Sequence, residues 1–185
     1  MKLEYKKMNI CGIDLNIART KRWSAKIMIN GNNNICVIWP YIMTFNEIEN
    51  FIIKNKTWIK KHIKKNANKK IIDTNIRLSK ENKKILIDKL TYFINKYETL
   101  MNIKVNRFSI RKMSTRWGSC SKNAKTIRFS ESLFYMSDSF IEYLVVHEMS
   151  HLFFANHSKY FYKLVSTYLP NYKEINKESK TVNLL

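Results

Sequence analysis

The chain has 185 residues, of which 34 are Lys or Arg and 14 are Asp or Glu, so its formal net charge is +20. Because 45% of the residues are hydrophobic and 13% are aromatic, the chain can bury a core, which excludes intrinsic disorder as the main interpretation. The length predicts a single domain over residues 1–185.

The positive charge is carried mainly by lysine, with 27 Lys and only seven Arg. A chain rich in Lys, Asn and Ile is what an AT-rich coding sequence produces, whereas surfaces that read bases usually depend on Arg. We therefore interpret the charge mainly as a solvated surface. Weak electrostatic binding of nucleic acid or nucleotides stays as the less favoured alternative.

The cysteines and the apolar runs indicate the compartment. Cys11, Cys36 and Cys120 are too few and too scattered for a disulfide framework and form no Cys-x-x-Cys pair. The longest apolar run, 35–43, contains Pro40 and is far shorter than a membrane span. We expect a cytoplasmic protein with no membrane segment; the sequence leaves its oligomeric state open.

Residues 1–43 are predicted to form an N-terminal β region, either a hairpin or a short meander. Polar and apolar residues alternate over 14–19 and 26–30. A turn at 31–34 precedes the apolar run that begins at Ile35.

Residues 44–101 are predicted to form two helices joined by a polar segment. Apolar residues recur at helical spacing from Thr44 to Lys65, and Glu47 stands three residues after Thr44, as in a capping box. Beyond the polar segment 66–79, the same spacing predicts a helix over about 80–101.

The region 102–170 is predicted to contain a strand pair followed by a metal-binding helix. Alternation predicts strands at 105–113 and 126–130. They enclose Trp117–Cys120, which either forms a turn or edge strand at a substrate cleft or packs in the core. Ser158 to Tyr168 is predicted as a short amphipathic helix, and residues 171–185 as a polar, frayed tail.

The residue types of a metal site are concentrated in one apolar segment. With Ser139 and Glu142 as a candidate capping box, this segment predicts a buried helix on which His147 and His151 project from one face. Two imidazoles can then bind one metal ion, while Glu148 can hydrogen-bond a water molecule on that ion. This is the His-Glu-x-x-His arrangement of metalloproteases; the alternative is a pair of core histidines.

A catalytic zinc takes three protein ligands and leaves a fourth position open, so a third donor is needed. His157 is the favoured candidate, on the condition that the helix stops before it. Asn156 allows that stop because Asn tolerates the left-handed conformation of a helix C-terminus. Glu174 and Glu178 are the competing candidates.

Three segments together resemble the YgjP-like metallopeptidase family. They are Arg-Trp-Gly-Ser-Cys-Ser at 116–121, Val-Val-His-Glu-Met-Ser-His-Leu at 145–152 and Asn-His-Ser-Lys-Tyr-Phe at 156–161. Met149 and Tyr162 stand where the family usually has Leu and Trp. The resemblance implies an α+β fold, a small zincin-like domain in which a short β-sheet packs on helices that include the metal-binding helix.

The same resemblance implies a zinc-dependent metallopeptidase that acts on peptides or proteins. Zn²⁺ would be held by His147, His151 and His157, and a zinc-activated water would be deprotonated by Glu148 as general base. The alternatives are a metal-dependent nucleotide or phosphoanhydride hydrolase, and a nucleic-acid-associated module with a structural metal site. The candidates for an oxyanion stabiliser, by residue type only, are Tyr143, Tyr160, Tyr162 and Arg116.

Overall fold

The computed structural model describes residues 4–30 and 32–184. It has the predicted α+β fold class, and the chain divides into two compact units, one ending at Ile71 and one running from Ile72 to Leu184. The single domain over 1–185 stays a prediction. Within the described residues, no helix combines the length and the apolar character needed to cross a bilayer.

The first unit contains a four-stranded mixed sheet. Its strands are β1 (Lys6–Ile10), β2 (Ile13–Thr20), β3 (Lys26–Ile29) and β4 (Ile35–Pro40), in the order β1-β2-β4-β3. The predicted β region is confirmed. It is not a simple meander, because β2 pairs with β4 in parallel and both are central strands with largely buried side chains. Gly31 of the predicted turn lies outside the described residues.

Two helices follow the sheet where a single helix was predicted. The capping box is present, since Glu47 N donates to Thr44 Oγ1 (3.3 Å) and Thr44 N donates to Glu47 Oε2 (2.7 Å). The helix α1 (Phe45–Lys54) ends at Asn55, and α2 (Lys56–Ala67) starts after it. The Asn55 side chain donates to the Phe51 carbonyl (2.7 Å), and such competition for backbone groups explains the break.

The second unit is built around a long helix whose predicted bounds are confirmed. After a three-residue strand, β5 (Lys70–Ile72), which the sequence did not predict, α3 runs over Lys80–Met101. Ser79 Oγ accepts a hydrogen bond from Asn82 N at its start, and Asn102 closes it in the left-handed conformation, with φ 49°.

A three-stranded sheet packs against the following helix. It contains β6 (Arg107–Arg111), β7 (Gly118–Ser121) and β8 (Thr126–Ser130) in the order β6-β8-β7. β6 and β8 confirm the predicted strands and are parallel. β7 pairs antiparallel with β8 and is an edge strand, one of the two conformations expected for this segment.

Helix α4 (Asp138–Ser150) is buried along most of its length. A 3₁₀ turn, Glu131–Tyr135, precedes it. The predicted capping box at its start is wrong: Ser137, not Ser139, accepts from Phe140 N (3.1 Å). The Glu142 carboxylate instead accepts a hydrogen bond from Tyr97 OH (2.8 Å), which ties α4 to α3.

The prediction of a frayed tail is wrong for residues 172–184, which form a helix, a 3₁₀ turn and a strand; Leu185 lies outside the described residues. The predicted helix after Ser158 is confirmed as α5 (Lys159–Tyr168). It is followed by α6 (Tyr172–Lys177), a 3₁₀ turn and β9 (Val182–Leu184). Val182 lies in the same buried cluster as α3 and α4, and burial of apolar surface explains why this segment does not fray.

The burial pattern of α3 leads to a stability prediction. Leu90 is fully buried, whereas Leu100 on the same helix is 54% exposed. We expect Leu90→Ala to lower the free energy of unfolding by about 2–5 kcal/mol, because it leaves a cavity. Leu100→Ala is the matched control and should change it by less than about 1 kcal/mol. Urea denaturation measures both, and equal effects would contradict this packing of α3.

Candidate metal centre

Three histidines converge at the end of α4. His147 lies in its last turn, His151 is its C-terminal cap, and His157 comes from the loop before α5. One ligand atom from each lies within 4.8 Å of the other two. The Nε2 atoms of His147 and His157 are 3.0 Å apart.

His157 reaches this position because α4 ends earlier than predicted. Tight i→i+3 hydrogen bonds close the helix, from Leu152 N to the Met149 carbonyl (3.0 Å) and from Phe153 N to the Ser150 carbonyl (3.1 Å). The prediction that Asn156 stops the helix in a left-handed conformation is wrong, since Asn156 has no positive φ. The chain has already left the helix after Ser150 and returns towards it at His157.

The ring of Phe161 holds the three imidazoles together. It is fully buried, and its centroid lies 4.9 Å from that of His147, 4.7 Å from His151 and 4.8 Å from His157. The first turn of α5 therefore contributes an apolar support for the cluster. Sequence reasoning missed this role, although Phe161 ends the segment 156–161 that carries the family resemblance.

Hydrogen bonds orient the rings. Nδ1 of His151 lies 3.1 Å from the Phe154 carbonyl. A carbonyl can only accept, so Nδ1 carries the proton and Nε2 keeps its lone pair. Nδ1 of His147 lies 3.4 Å from Tyr143 OH, and the His157 ring stacks on Tyr162 with centroids 6.0 Å apart.

The environment keeps the inner histidines neutral. Burial, with additional repulsion from His151 and His157, lowers the pKa of His147 to about 3. Burial also lowers the pKa of His151. Both imidazoles are therefore uncharged at neutral pH, which is the form that binds metal ions.

The donor set fits a divalent metal ion. Tetrahedral coordination with bonds of about 2.0–2.1 Å places neighbouring nitrogen donors about 3.3 Å apart. The observed donors, 3.0 Å apart for one pair and all within 4.8 Å, need only small side-chain adjustments to reach that geometry. Three neutral imidazoles suit zinc, and also copper, iron and nickel.

Glu148 lies beside this cluster and is only 5% exposed. Burial raises the pKa of its carboxyl to about 7, and the positive charge of Arg116 acts in the opposite direction. Its Oε2 atom is buried, and no donor among the described residues reaches it. On the other side, Gly118 of β7 is so close that a Cβ there would lie 2.7 Å from Glu148 Oε1.

A cleft of about 450 Å³ opens in front of the histidines and Glu148. Its walls come from β7 and from Ala155, and the cations Arg116 and Lys122 complete the lining. Lys122 Nζ donates to the Phe153 carbonyl (2.9 Å) and so also ties β7 to the loop after α4. This lysine is a second residue that sequence reasoning missed, because no local pattern marks it.

The structure also places the competing metal ligands and the oxyanion candidates that the sequence analysis named. Glu174 accepts a hydrogen bond from Lys177 (2.6 Å), and Glu178 accepts from Ser137 N (2.8 Å); neither belongs to the histidine cluster. Of the four oxyanion candidates, Arg116 lines the cleft. Tyr143 is buried behind His147, and Tyr160 and Tyr162 stack on Phe154 and His157.

Comparison with protein families assigns more than half of the chain to a metallopeptidase family. Residues 75–181 match the YgjP-like metallopeptidase domain family. The chain is similar to the metallopeptidase zymogen abylysin of Pyrococcus abyssi, with 19% identity, a TM-score of 0.47 and coverage of 52% of this chain and 99% of that one. It is also similar to the zymogen of Methanocaldococcus jannaschii jannalysin, with 21% identity, a TM-score of 0.43 and coverage of 49% and 92%. No curated protein sequence matches it.

The convergence of three imidazoles leads to a metal-binding prediction. We expect the chain to bind one Zn²⁺, and His157→Ala to weaken that binding at least about tenfold because one of three ligands is lost. His62→Ala is the matched control, since His62 stacks on Trp58 in the first unit. Calorimetric titration with Zn²⁺ measures the affinities. Equal affinities for the two variants would exclude His157 as a ligand.

Proposed function

Because the chain belongs to the YgjP-like metallopeptidase family, we propose that it hydrolyses peptides with a zinc ion held by His147, His151 and His157. Glu148 is the general base in this proposal. One observation carries it: three imidazole nitrogens converge beside a buried carboxylate oxygen that lacks a donor among the described residues. That combination supplies both a metal site and a proton acceptor.

The reaction adds water across an amide bond. When bound, zinc supplies Lewis-acid chemistry that acidifies a water molecule and polarises a carbonyl. The Glu148 carboxylate takes the proton of the attacking water and returns it to the leaving amine. The hydroxyl group thus ends on the new carboxyl product and the proton on the new amine, so that Glu148 is regenerated.

The edge strand β7 supports a peptide as the substrate. One side of β7 is paired with β8, and the described residues contain no strand on its other side. An unpaired strand edge offers backbone donors and acceptors to an extended peptide, which can add as a further strand. Gly118 places this edge against Glu148, so an extended substrate there lies beside the proton acceptor.

The alternatives from the sequence are a nucleotide or phosphoanhydride hydrolase and a nucleic-acid-associated module with a structural metal site. The family assignment does not favour either of them. A strand edge recognises backbone amides, which nucleotides lack. The peptidase is therefore the single function proposed for this site.

We expect Glu148→Gln to lower the rate of peptide cleavage by about 10²–10⁴-fold, because the amide cannot take up a proton. Zinc content should stay near that of the wild type, since Glu148 is not proposed as a ligand. A peptide library analysed by mass spectrometry measures cleavage, and elemental analysis measures zinc. A chelator should abolish wild-type cleavage, and added zinc should restore it. Cleavage by Glu148→Gln at the wild-type rate would contradict the proposed role.

Gly118→Ala tests the contact between β7 and α4. The new Cβ would lie 2.7 Å from Oε1 and 3.0 Å from Cγ and Cδ of Glu148, so the buried carboxylate must move from its position. We therefore expect a loss of turnover of at least about tenfold, with zinc content retained. Ser121→Ala, an exposed position on the same strand, is the control and should keep wild-type activity. Full activity of Gly118→Ala would show that the contact is not needed.

A further inference from the structure

Two cations stand at opposite ends of the edge strand that lines the cleft. Arg116 precedes β7 by two residues, and Lys122 follows it directly. Both line the cleft, and the sole carboxylate among its described lining residues is the buried Glu148. The accessible charge of the cleft is therefore positive.

The chain segment around β7 is also positively charged. Between Glu98 and Glu131 the sequence has eight basic residues and no acidic residue. Four of these eight are Arg, although Arg makes up only seven of the 34 basic residues of the whole chain. The lysine-rich composition of the chain does not account for this local preference for the residue that pairs best with carboxylates. The four are Arg107, Arg111, Arg116 and Arg128.

Among the described residues, neither cleft cation takes part in a carboxylate ion pair, although the charge of Arg116 acts on the buried Glu148. The ion pairs among the described residues involve Lys83, Lys89, Lys96, Lys104 and Lys177. Arg116 is exposed. Lys122 uses one donor for the Phe153 carbonyl, and its ammonium group has two more. Both cations are thus available to an anionic ligand in the cleft.

We propose that the cleft selects acidic peptides, with substrate carboxylates on both sides of the scissile bond that pair with Arg116 and Lys122. This inference rests on the proposed peptidase function and adds its substrate class. Arg116 lies two residues before the four-residue strand β7, and Lys122 lies directly after it. The preferred substrate therefore has one acidic residue beyond each end of the stretch that pairs with β7, about six positions apart at ~3.3 Å per residue, with the scissile bond between them.

A peptide fits this cleft better than a nucleic acid. The walls are formed by backbone and small side chains, namely Gly118, Ser119, Cys120 and Ala155. Binding of single-stranded nucleic acid commonly uses exposed aromatic rings on which bases stack. Among the described lining residues of the cleft the histidines provide the ring side chains, and Trp117, next to Gly118, packs edge to face on Phe140 with centroids 5.4 Å apart.

The test measures binding to the zinc-loaded Glu148→Gln variant by fluorescence anisotropy, so that cleavage does not interfere. The probes are three labelled decapeptides of one sequence that carry Glu, Gln or Lys at two positions six residues apart. We expect the Glu peptide to bind about 3- to 10-fold more tightly than the Gln peptide at low salt, as two exposed ion pairs allow. The difference should shrink as salt is added.

Arg116→Glu in the same background should remove the preference for the Glu peptide, because one anion and one cation, Lys122, then face the two charged positions of the peptide. Arg107→Glu is the matched control: it makes the same change of charge within the same acid-free segment, but Arg107 does not line the cleft. The Arg107→Glu variant should prefer the Glu peptide as strongly as the zinc-loaded Glu148→Gln protein does.

Three results would overturn the inference. The first is equal affinity for the Glu and Gln peptides, and the second is an effect of Arg107→Glu as large as that of Arg116→Glu. The third is that single-stranded DNA displaces the Glu peptide equally well before and after the Arg116→Glu substitution. The last two would indicate a general polyanion surface. Cleavage by the zinc-loaded wild type is measured separately. Failure of cleavage alone would refute the peptidase, whereas cleavage without charge preference would refute only the selectivity.

Discussion

The contact between Glu148 and Gly118 is the constraint on which the site depends. A side chain at position 118 would overlap the carboxylate, so β7 lies closer to α4 than strands with larger residues allow. This approach sets the edge of the sheet directly beside the carboxylate of Glu148, the proposed proton acceptor. The strand order β6-β8-β7 matters for the proposed function, because β7 would have no unpaired edge for a substrate if it lay in the middle of the sheet.

The histidine cluster combines a rigid part with a returning loop. α4 is enclosed by apolar contacts along most of its length, which fixes the directions of His147 and Glu148. The third histidine arrives from a short loop, and the Phe161 ring sets its position together with that of the other two. Pre-organised side chains of this kind would lower the entropic cost of binding an ion in the proposed site, since little side-chain freedom remains to be lost.

Local patterns predicted most of the helices and the pair of histidines, and long-range contacts explain the differences. The bounds of α3 and the spacing of His147 and His151 follow from helical periodicity, which depends only on near neighbours along the chain. The break at Asn55 depends on one side-chain hydrogen bond that competes with the helix. The edge position of β7 and the ordered C-terminus depend on pairings and burial among distant residues, which no local pattern specifies. The proximity of His157 likewise follows from where α4 ends, and this end was misplaced by several residues.

The hydrogen bonds of Glu178 to Ser137 have a consequence for the order in which the molecule can form. They place a carboxylate at the start of α4, where it complements the positive end of the helix dipole, and it comes from 41 residues further along the chain. Contacts with such sequence separation are slow to close. A growing polypeptide on the ribosome therefore carries all three histidines and Glu148 before the clamp on their helix exists. The finished centre therefore requires residues that follow the histidines at a distance along the chain.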